Sequence, residues 1–151
     1  MEIEPLLSTT FDCLILTNPQ VQVLNKVRER IHVIGIQEIS VNDLLSQQLI
    51  SIPLKERGKV AQDWLMSVLL EDTNEPLLLA NSDLIFHPSL GIDSFELIRK
   101  LSRFQKLIIL WPGNYQGNLL SYAIPGHHHY RVWKTSAPLL IYPKILIHQL
   151  N

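Results

Sequence analysis

The apolar run FDCLILT covers residues 11–17, and Asn18-Pro19 closes it. A continuous apolar run of this length is typical of a strand that is buried on both faces, as in a parallel sheet. Similar runs occupy residues 76–80 and 107–111. We therefore expect a mostly parallel sheet that contains these three strands.

The segments between these runs favour helices. Apolar residues recur at helical intervals in residues 21–31 and, most clearly, in residues 57–70. Residues 32–36 are short and apolar, so we expect a further strand there, directly after the first helix.

Two more helices are predicted from their N-terminal signals. Ser40 is placed to cap a helix over residues 41–49, with Asp43 completing a capping box. Asp93 is placed to cap another helix, which continues to about Arg103.

The pattern changes after residue 111. A hairpin turn is expected at residues 114–117, followed by a strand near residues 119–122. Residues 130–133 are predicted to form a short edge strand. The apolar tail, residues 138–150, is expected to be either a last strand or a segment docked on a partner.

The resulting order is β-α-β-α-α-β-α-β with a small β appendage. Alternating strands and helices predict an α/β fold of three layers, laid out like a P-loop NTPase, with helices on both faces of the sheet. We expect a single domain over residues 1–151, with its core in residues 11–133 and a C-terminal tail at residues 134–151.

Composition limits the classes of function. Of the 151 residues 46% are apolar and 18% are charged, and the formal net charge is −1. This charge gives no general attraction for nucleic acid. A nucleic-acid-binding module stays an alternative, and it would have to use a local basic set. That set is Lys26, Arg28, Arg30, Arg99, Lys100 and Arg103.

The expected location is the cytoplasm. A lone cysteine, Cys13, cannot form an intrachain disulfide and fits a reducing compartment. Residues 1–5 are acidic and lack the features of a signal peptide. No apolar run approaches the ~20 residues that a membrane helix needs.

The loop after the first strand is where a P-loop protein holds phosphate. A working loop, G-x-x-x-x-G-K-[ST], wraps the phosphates with backbone N–H groups and adds a lysine and a Mg²⁺-binding hydroxyl. This chain has no glycine there and no lysine before Lys26, and Pro19 removes a donor. The residues at that position are Asn18, Pro19, Gln20, Val21, Gln22 and Val23. The third predicted strand ends at Ala80, where such an ATPase carries a Mg²⁺-binding aspartate.

Several ordered motifs in the second half resemble one known family. They are LIFHPSLGID at residues 84–93, LSR at 101–103, LWPG at 110–113, SYAIPGH at 121–127 and Tyr130-Arg131. Together they resemble BrxF, the small P-loop protein of BREX bacteriophage-defence systems. The similarity covers about residues 11–133 and is strongest from Leu77 onward.

The resemblance implies a degenerate member of that family. The family's P-loop falls on residues 18–23 and its Mg²⁺-binding aspartate on Ala80, so both are lost. Asp83 matches an acidic position soon after that aspartate. Arg103 lies where such folds can place a phosphate-sensing arginine, although a helix C-terminus also favours a cation there.

We therefore expect a non-catalytic adaptor without a cofactor, which forms a hetero-oligomer with other proteins of a defence complex. The alternative is an ATPase-like subunit that binds nucleotide weakly and completes its site with a partner. Its candidate residues are Lys26, Asp83 and Arg103.

The internal run His127-His128-His129 is a weak candidate for a metal site. In an extended segment only His127 and His129 lie on the same side, and His87 is the obvious third ligand. No cysteine pair or H-E-x-x-H motif accompanies them. We expect a polar turn after Pro125-Gly126 rather than a metal centre.

Overall fold

A five-stranded parallel sheet forms the centre of the protein. The computed structural model describes residues 3–69, 75–135 and 142–151. The strands are β1 (Cys13–Thr17), β2 (Gln37–Ser40), β3 (Leu77–Ala80), β4 (Leu107–Trp111), β5 (Gly113–Gln116), β6 (Leu119–Tyr122), β7 (Arg131–Lys134) and β8 (Ile145–Gln149). In the main sheet their order is β2-β3-β4-β1-β8, and β5-β6-β7 form a separate antiparallel sheet.

Helices cover both faces of the main sheet. They are α1 (Glu4–Leu7), α2 (Val21–Ile34), α3 (Val41–Leu49), α4 (Leu54–Leu69) and α5 (Ser94–Ser102). Two short 3-10 helices, Asp83–Phe86 and Pro88–Leu90, lie between β3 and α5. The predicted three-layer α/β fold with a small β appendage is confirmed.

Alternate side chains of the inner strands feed two hydrophobic cores. Cys13 and Ile15 of β1 belong to the core that packs against α3, α4 and α5. Leu14 and Leu16 belong to the core that packs against α2. All of β1, β3 and β4 is buried, as expected of strands covered on both faces.

The strand predicted at residues 32–36 is wrong. Helix α2 continues through these residues to Ile34 and ends at Gly35, which has a left-handed φ of +96°. Val33 is 85% exposed, so its β-branched side chain is not part of a sheet. The helix prevails because Ile31 anchors its last turns in the core and Gly35 provides the C-terminal cap. The strand starts at Gln37 instead.

Ser40 is the N-cap residue of α3, as predicted, but the capping box predicted with Asp43 is wrong. Helix α3 begins at Val41 as expected, but no side chain caps it, so Asp43 completes no capping box. The Ser40 hydroxyl accepts a hydrogen bond from the Asn81 amide (3.2 Å) instead. The cap at Asp93 is confirmed, because its carboxylate accepts the Glu96 N–H (3.1 Å).

The C-terminal segments differ from the sequence prediction at the hairpin turn, whereas the tail forms a last strand, which is one of its two predicted alternatives. Residues 114–116 belong to β5, and the hairpin turns at Gly117 and Asn118 rather than over 114–117. The tail supplies β8, which pairs with β1 along its whole length. The predicted edge strand near residues 130–133 is confirmed as β7. Leu70 and residues 138–141 of these predicted elements lie outside the described residues.

The small sheet packs on the main sheet through aromatic rings and a few hydrogen bonds. The Phe86 ring stacks on Tyr122 with centroids 4.0 Å apart and meets Trp111 edge-on at 4.7 Å. The Trp111 indole N–H donates to the Ser121 carbonyl (2.9 Å). Arg131 donates to the Ile92 carbonyl (2.8 Å). Leu120 and Tyr122 thereby become part of the larger core.

An ion pair holds the edge strand β2 to helix α2. The Arg28 guanidinium donates twice to the Glu38 carboxylate, at 2.5 and 2.6 Å. These hydrogen bonds lower the pKa of Glu38. Both side chains are partly exposed, at 35% and 21%, so we expect a modest contribution to stability.

The first prediction concerns Gly113, whose Cα faces the backbone of β6. A Cβ there would overlap the Ser121 carbonyl oxygen. We expect Gly113→Ala to lower the free energy of unfolding by about 3 kcal/mol, because backbone on both sides cannot yield. Gly117→Ala is the control: nothing lies near its Cβ, and only the positive φ opposes it, at about 1 kcal/mol. If urea denaturation gave equal losses of unfolding free energy for Gly113→Ala and Gly117→Ala, the result would contradict this packing.

The second prediction concerns pH. We expect Glu38→Gln to lower the free energy of unfolding by up to about 1 kcal/mol at neutral pH. The pKa of Glu38 is lowered in the folded state, so its stabilisation is complete above the unfolded pKa of about 4.3 and is lost as the pH falls below it. The free energies of unfolding of the unchanged protein and of Glu38→Gln, measured by denaturation at several pH values, should therefore converge in acid. Glu29→Gln, an exposed change on helix α2, should show no such trend.

Candidate functional site

The carboxyl ends of β1, β3 and β4 meet at one edge of the main sheet, where an open α/β fold binds ligands. Thr17 and Asn18 end β1, Ala80 ends β3, and Trp111 ends β4. Helix α2 starts directly beyond β1. A nucleotide phosphate would have to lie at this edge.

The connection from β1 to α2 is much shorter than a P-loop. Only Asn18, Pro19 and Gln20 lie between strand and helix, whereas the P-loop motif has eight positions. Val21 and the two residues after it, which the sequence placed in the loop, form the first turn of α2. The Asn18 side-chain oxygen accepts the Gln20 N–H (2.8 Å), so the connection is a tight Asx turn.

The C-terminal segment closes this turn from the other side. The Asn18 amide donates to the Leu150 carbonyl (2.9 Å), and the Leu150 N–H donates to the Thr17 carbonyl (2.8 Å). The Thr17 hydroxyl donates to the Gln149 amide oxygen (2.8 Å). Asn18 is 7% exposed. Its polar groups therefore bond within the protein, where a P-loop would present free N–H groups to phosphate.

The end of β3 carries no group for a magnesium ion. Ala80 is buried, and Asn81 follows it with a left-handed φ of +50°. The Asn81 carbonyl accepts the Asn42 N–H (2.8 Å). The Asn81 backbone thus joins the end of β3 to the start of α3.

Asp83 lies at this edge but serves the packing of the small sheet. Its carboxylate accepts a hydrogen bond from the Tyr122 hydroxyl (3.3 Å). Burial and the nearby Asp83 raise the pKa of Tyr122 to about 12, so Tyr122 is a neutral donor. Asp83 is thereby part of the contact between the two sheets.

The space left at this edge is small. A cleft of about 70 Å³ lies between the start of α2 and the ends of β3 and β4, with Val21, Asn25, Arg28 and Asp83 among its walls. Ligand pockets usually measure about 300–1,000 Å³. The cleft as it stands does not accommodate a nucleoside triphosphate.

The two cationic candidates for a nucleotide lie elsewhere. Lys26 is exposed on α2 and is not among the residues that line the cleft. Arg103 caps the C-terminus of α5, at the amino end of β4. The length of β4, five residues at about 3.3 Å each, therefore separates Arg103 from the phosphate position. The structure brings neither cation to the edge where phosphate would bind.

The basic residues proposed for nucleic acid do not share a surface. Arg28 is paired with Glu38, and Arg30 lies 3.3 Å from Glu4. The remaining four divide between α2 and the end of α5. These helices cover opposite faces of the main sheet.

The three histidines do come together. The His129 ring lies 4.8 Å from the His87 ring and 5.4 Å from the His127 ring, measured between centroids. Burial, followed by the neighbouring imidazoles, lowers the pKa of His129. Even so, no group of three or more His, Cys, Asp or Glu among the described residues could hold a metal ion.

Hydrogen bonds explain why these rings suit a metal poorly. The Nδ1 atom of His87 accepts the Ser89 N–H (3.1 Å), and that of His127 accepts the His129 N–H (3.0 Å). A backbone N–H only donates, so the neutral rings carry their proton on Nε2. Nε2 could bind a metal only if the proton of the neutral ring moved to Nδ1. Nδ1 would then lose the hydrogen bond that it accepts.

The residue that closes the phosphate position, Leu150, was not predicted from the sequence. Asn-Pro at the end of a buried strand is a signal for an Asx turn. The partner of Asn18, Leu150, lies 132 residues away along the chain. Only the pairing of β8 with β1 brings these two residues together.

Comparisons with known proteins add no relative. No family model matches the chain, and neither a curated protein nor a solved structure is significantly similar to it. Among the described residues, no helix is both long enough and apolar enough to cross a membrane.

The third prediction tests the closing group. We expect Asn18→Ala to lower the free energy of unfolding by about 2 kcal/mol, because the buried Leu150 carbonyl would lose its 2.9 Å donor and keep only the longer bond, 3.5 Å, from the Gln149 amide. Asn25→Ala is the control, since Asn25 is exposed on α2 and should cost little. If the free energy of unfolding measured in urea changed by less than about 0.5 kcal/mol for Asn18→Ala, the result would contradict the role of Asn18 in joining the C-terminal segment to the end of β1.

Proposed function

We propose that this chain is a non-catalytic, P-loop-like adaptor that assembles with other proteins of a BREX-type anti-phage defence system in the bacterial cytoplasm. The observation that carries the non-catalytic part is the closed phosphate position. Asn18 and Thr17 are bonded to Gln149 and Leu150 where a P-loop would hold phosphate. The role in defence rests on the resemblance of residues 77–133 to BrxF.

The buried Ala80 supports the same proposal. A nucleotide-hydrolysing P-loop enzyme needs both a phosphate loop and a carboxylate for Mg²⁺. Here the phosphate-loop position is a tight turn at Asn18, and the position of the Mg²⁺ carboxylate is the methyl group of Ala80. Restoring one of them would not restore the other.

The small sheet offers the surface that we assign to assembly. Leu119, Ile124 and Val132 are each about half exposed on β6, β7 and the loop between them. β7 is also the edge of its sheet, so one row of its backbone N–H and C=O groups is open to a further strand. An exposed apolar face beside an open edge is typical of a protein–protein contact.

The fourth prediction has two independent parts. Titration calorimetry with ATP and Mg²⁺, at roughly 100 µM protein to detect weak sites, should give no saturable heat. Co-expression with the proteins encoded beside this chain should give a stable complex. Val132→Glu should then disrupt that complex, because it buries a charge at the contact.

Val33→Glu is the matched control for the assembly surface. Val33 is 85% exposed on α2, far from the small sheet in the fold, so this change should leave the complex intact. Saturable ATP binding would contradict the non-catalytic proposal. A complex that tolerates Val132→Glu would contradict the proposed surface, and failure to form any complex would contradict the adaptor role.

A further inference from the structure

A groove of about 440 Å³ lies between the end of α3, the start of α4 and the two 3-10 helices. Its volume is within the range of small-molecule sites. Leu49, Leu84 and Leu90 give it an apolar lining, and Arg57 and His87 are its ionisable groups. Among the described residues that line it, none is acidic.

Arg57 is held so that its terminal nitrogens stay available. Its Nε donates to the Ile52 carbonyl in the turn between α3 and α4 (2.8 Å). No other partner of the guanidinium is found in residues 3–69, 75–135 or 142–151. A cation in the first turn of a helix gains nothing from the helix dipole. The helix dipole therefore adds to the positive potential of Arg57, and the two together favour an anion.

His87 adds a second hydrogen-bond donor to the groove. Its Nδ1 accepts the Ser89 N–H (3.1 Å) and lies 2.7 Å from the Ser89 hydroxyl. The neutral ring therefore carries its proton on Nε2, where it can donate to a ligand. Protonation would leave a donor at the same atom.

The walls of the groove are fixed by close backbone packing. A Cβ on Gly58 of α4 would overlap the Leu90 carbonyl oxygen, so the helix and the second 3-10 helix touch without a side chain between them. The groove is thus present in the folded protein and does not depend on a side chain swinging aside.

We propose that this groove binds a small amphipathic anion. The aliphatic part would lie against the three leucines, and a carboxylate or phosphate would bind Arg57 and His87. This site lies on the α4 and α5 face of the sheet, away from the closed phosphate position, and it does not depend on the adaptor role.

The test titrates hexanoate, 1-hexanol and inorganic phosphate separately into the full chain. Binding is measured from the amide chemical shifts in two-dimensional NMR spectra. Hexanoate should give saturable shifts at the groove residues. Hexanol, which lacks the charge, and phosphate, which lacks the chain, should each bind at least about tenfold more weakly. Equal binding of hexanoate and hexanol, or of hexanoate and phosphate, would overturn the proposal. So would the absence of saturable shifts up to roughly 10 mM.

Variants locate the site. Arg57→Gln should weaken hexanoate binding about tenfold, whereas Lys59→Gln, an exposed change of the same charge on the same helix, should not. Ser46→Phe fills the groove from α3 without touching the Arg57–Ile52 bond. A folded Ser46→Phe protein should lose hexanoate binding, and unchanged binding in that variant would overturn the proposal even if Arg57→Gln fails to fold.

Discussion

Strand β1 is hydrogen-bonded along both edges, to β4 on one side and β8 on the other, and the rest of the structure depends on this arrangement. Helices also cover both faces of the sheet at this strand, so its side chains are apolar on both faces. Cys13 and Ile15 supply one core, and Leu14 and Leu16 the other. Burial raises the pKa of the Cys13 thiol well above its usual range, so this cysteine is a small core side chain and not a nucleophile.

The same arrangement explains why the phosphate position is closed. Because β8 runs parallel to β1, its last residues arrive at the carboxyl end of β1, where a ligand of this fold class would bind. There Gln149 and Leu150 take up the hydrogen-bonding groups of Thr17 and Asn18. Of the two alternatives predicted for the tail, a last strand and a docking segment, the structure has the strand: β8 is the edge strand that pairs with β1. Deleting it would leave β1 as an open edge and would test folding rather than assembly.

The small sheet and the groove depend on the segment between β3 and α5. Its 3-10 helices carry Phe86, which holds the small sheet by stacking on Tyr122, and they also form one wall of the groove. A short polar segment thus positions both surfaces that we assign to binding. His87 belongs to both, since it lines the groove and contacts the His129 ring.

The amino-acid sequence by itself determined the apolar strands, most helix starts, and the absence of a P-loop motif after β1 and of an aspartate at residue 80, because each of these is a local pattern. It misplaced β2 because Val33 and Ile34 are β-branched, whereas the helix end is set by Gly35 and by the anchoring of Ile31 in the core. It predicted a capping box at Ser40 that does not form, because the hydroxyl has another partner, Asn81, the residue after β3. Only the tertiary structure decided that Leu150 bonds to Asn18 at the end of β1 and that Arg57 and His87 line the same groove. Those contacts join residues far apart in the chain, and local propensity carries no information about such pairs.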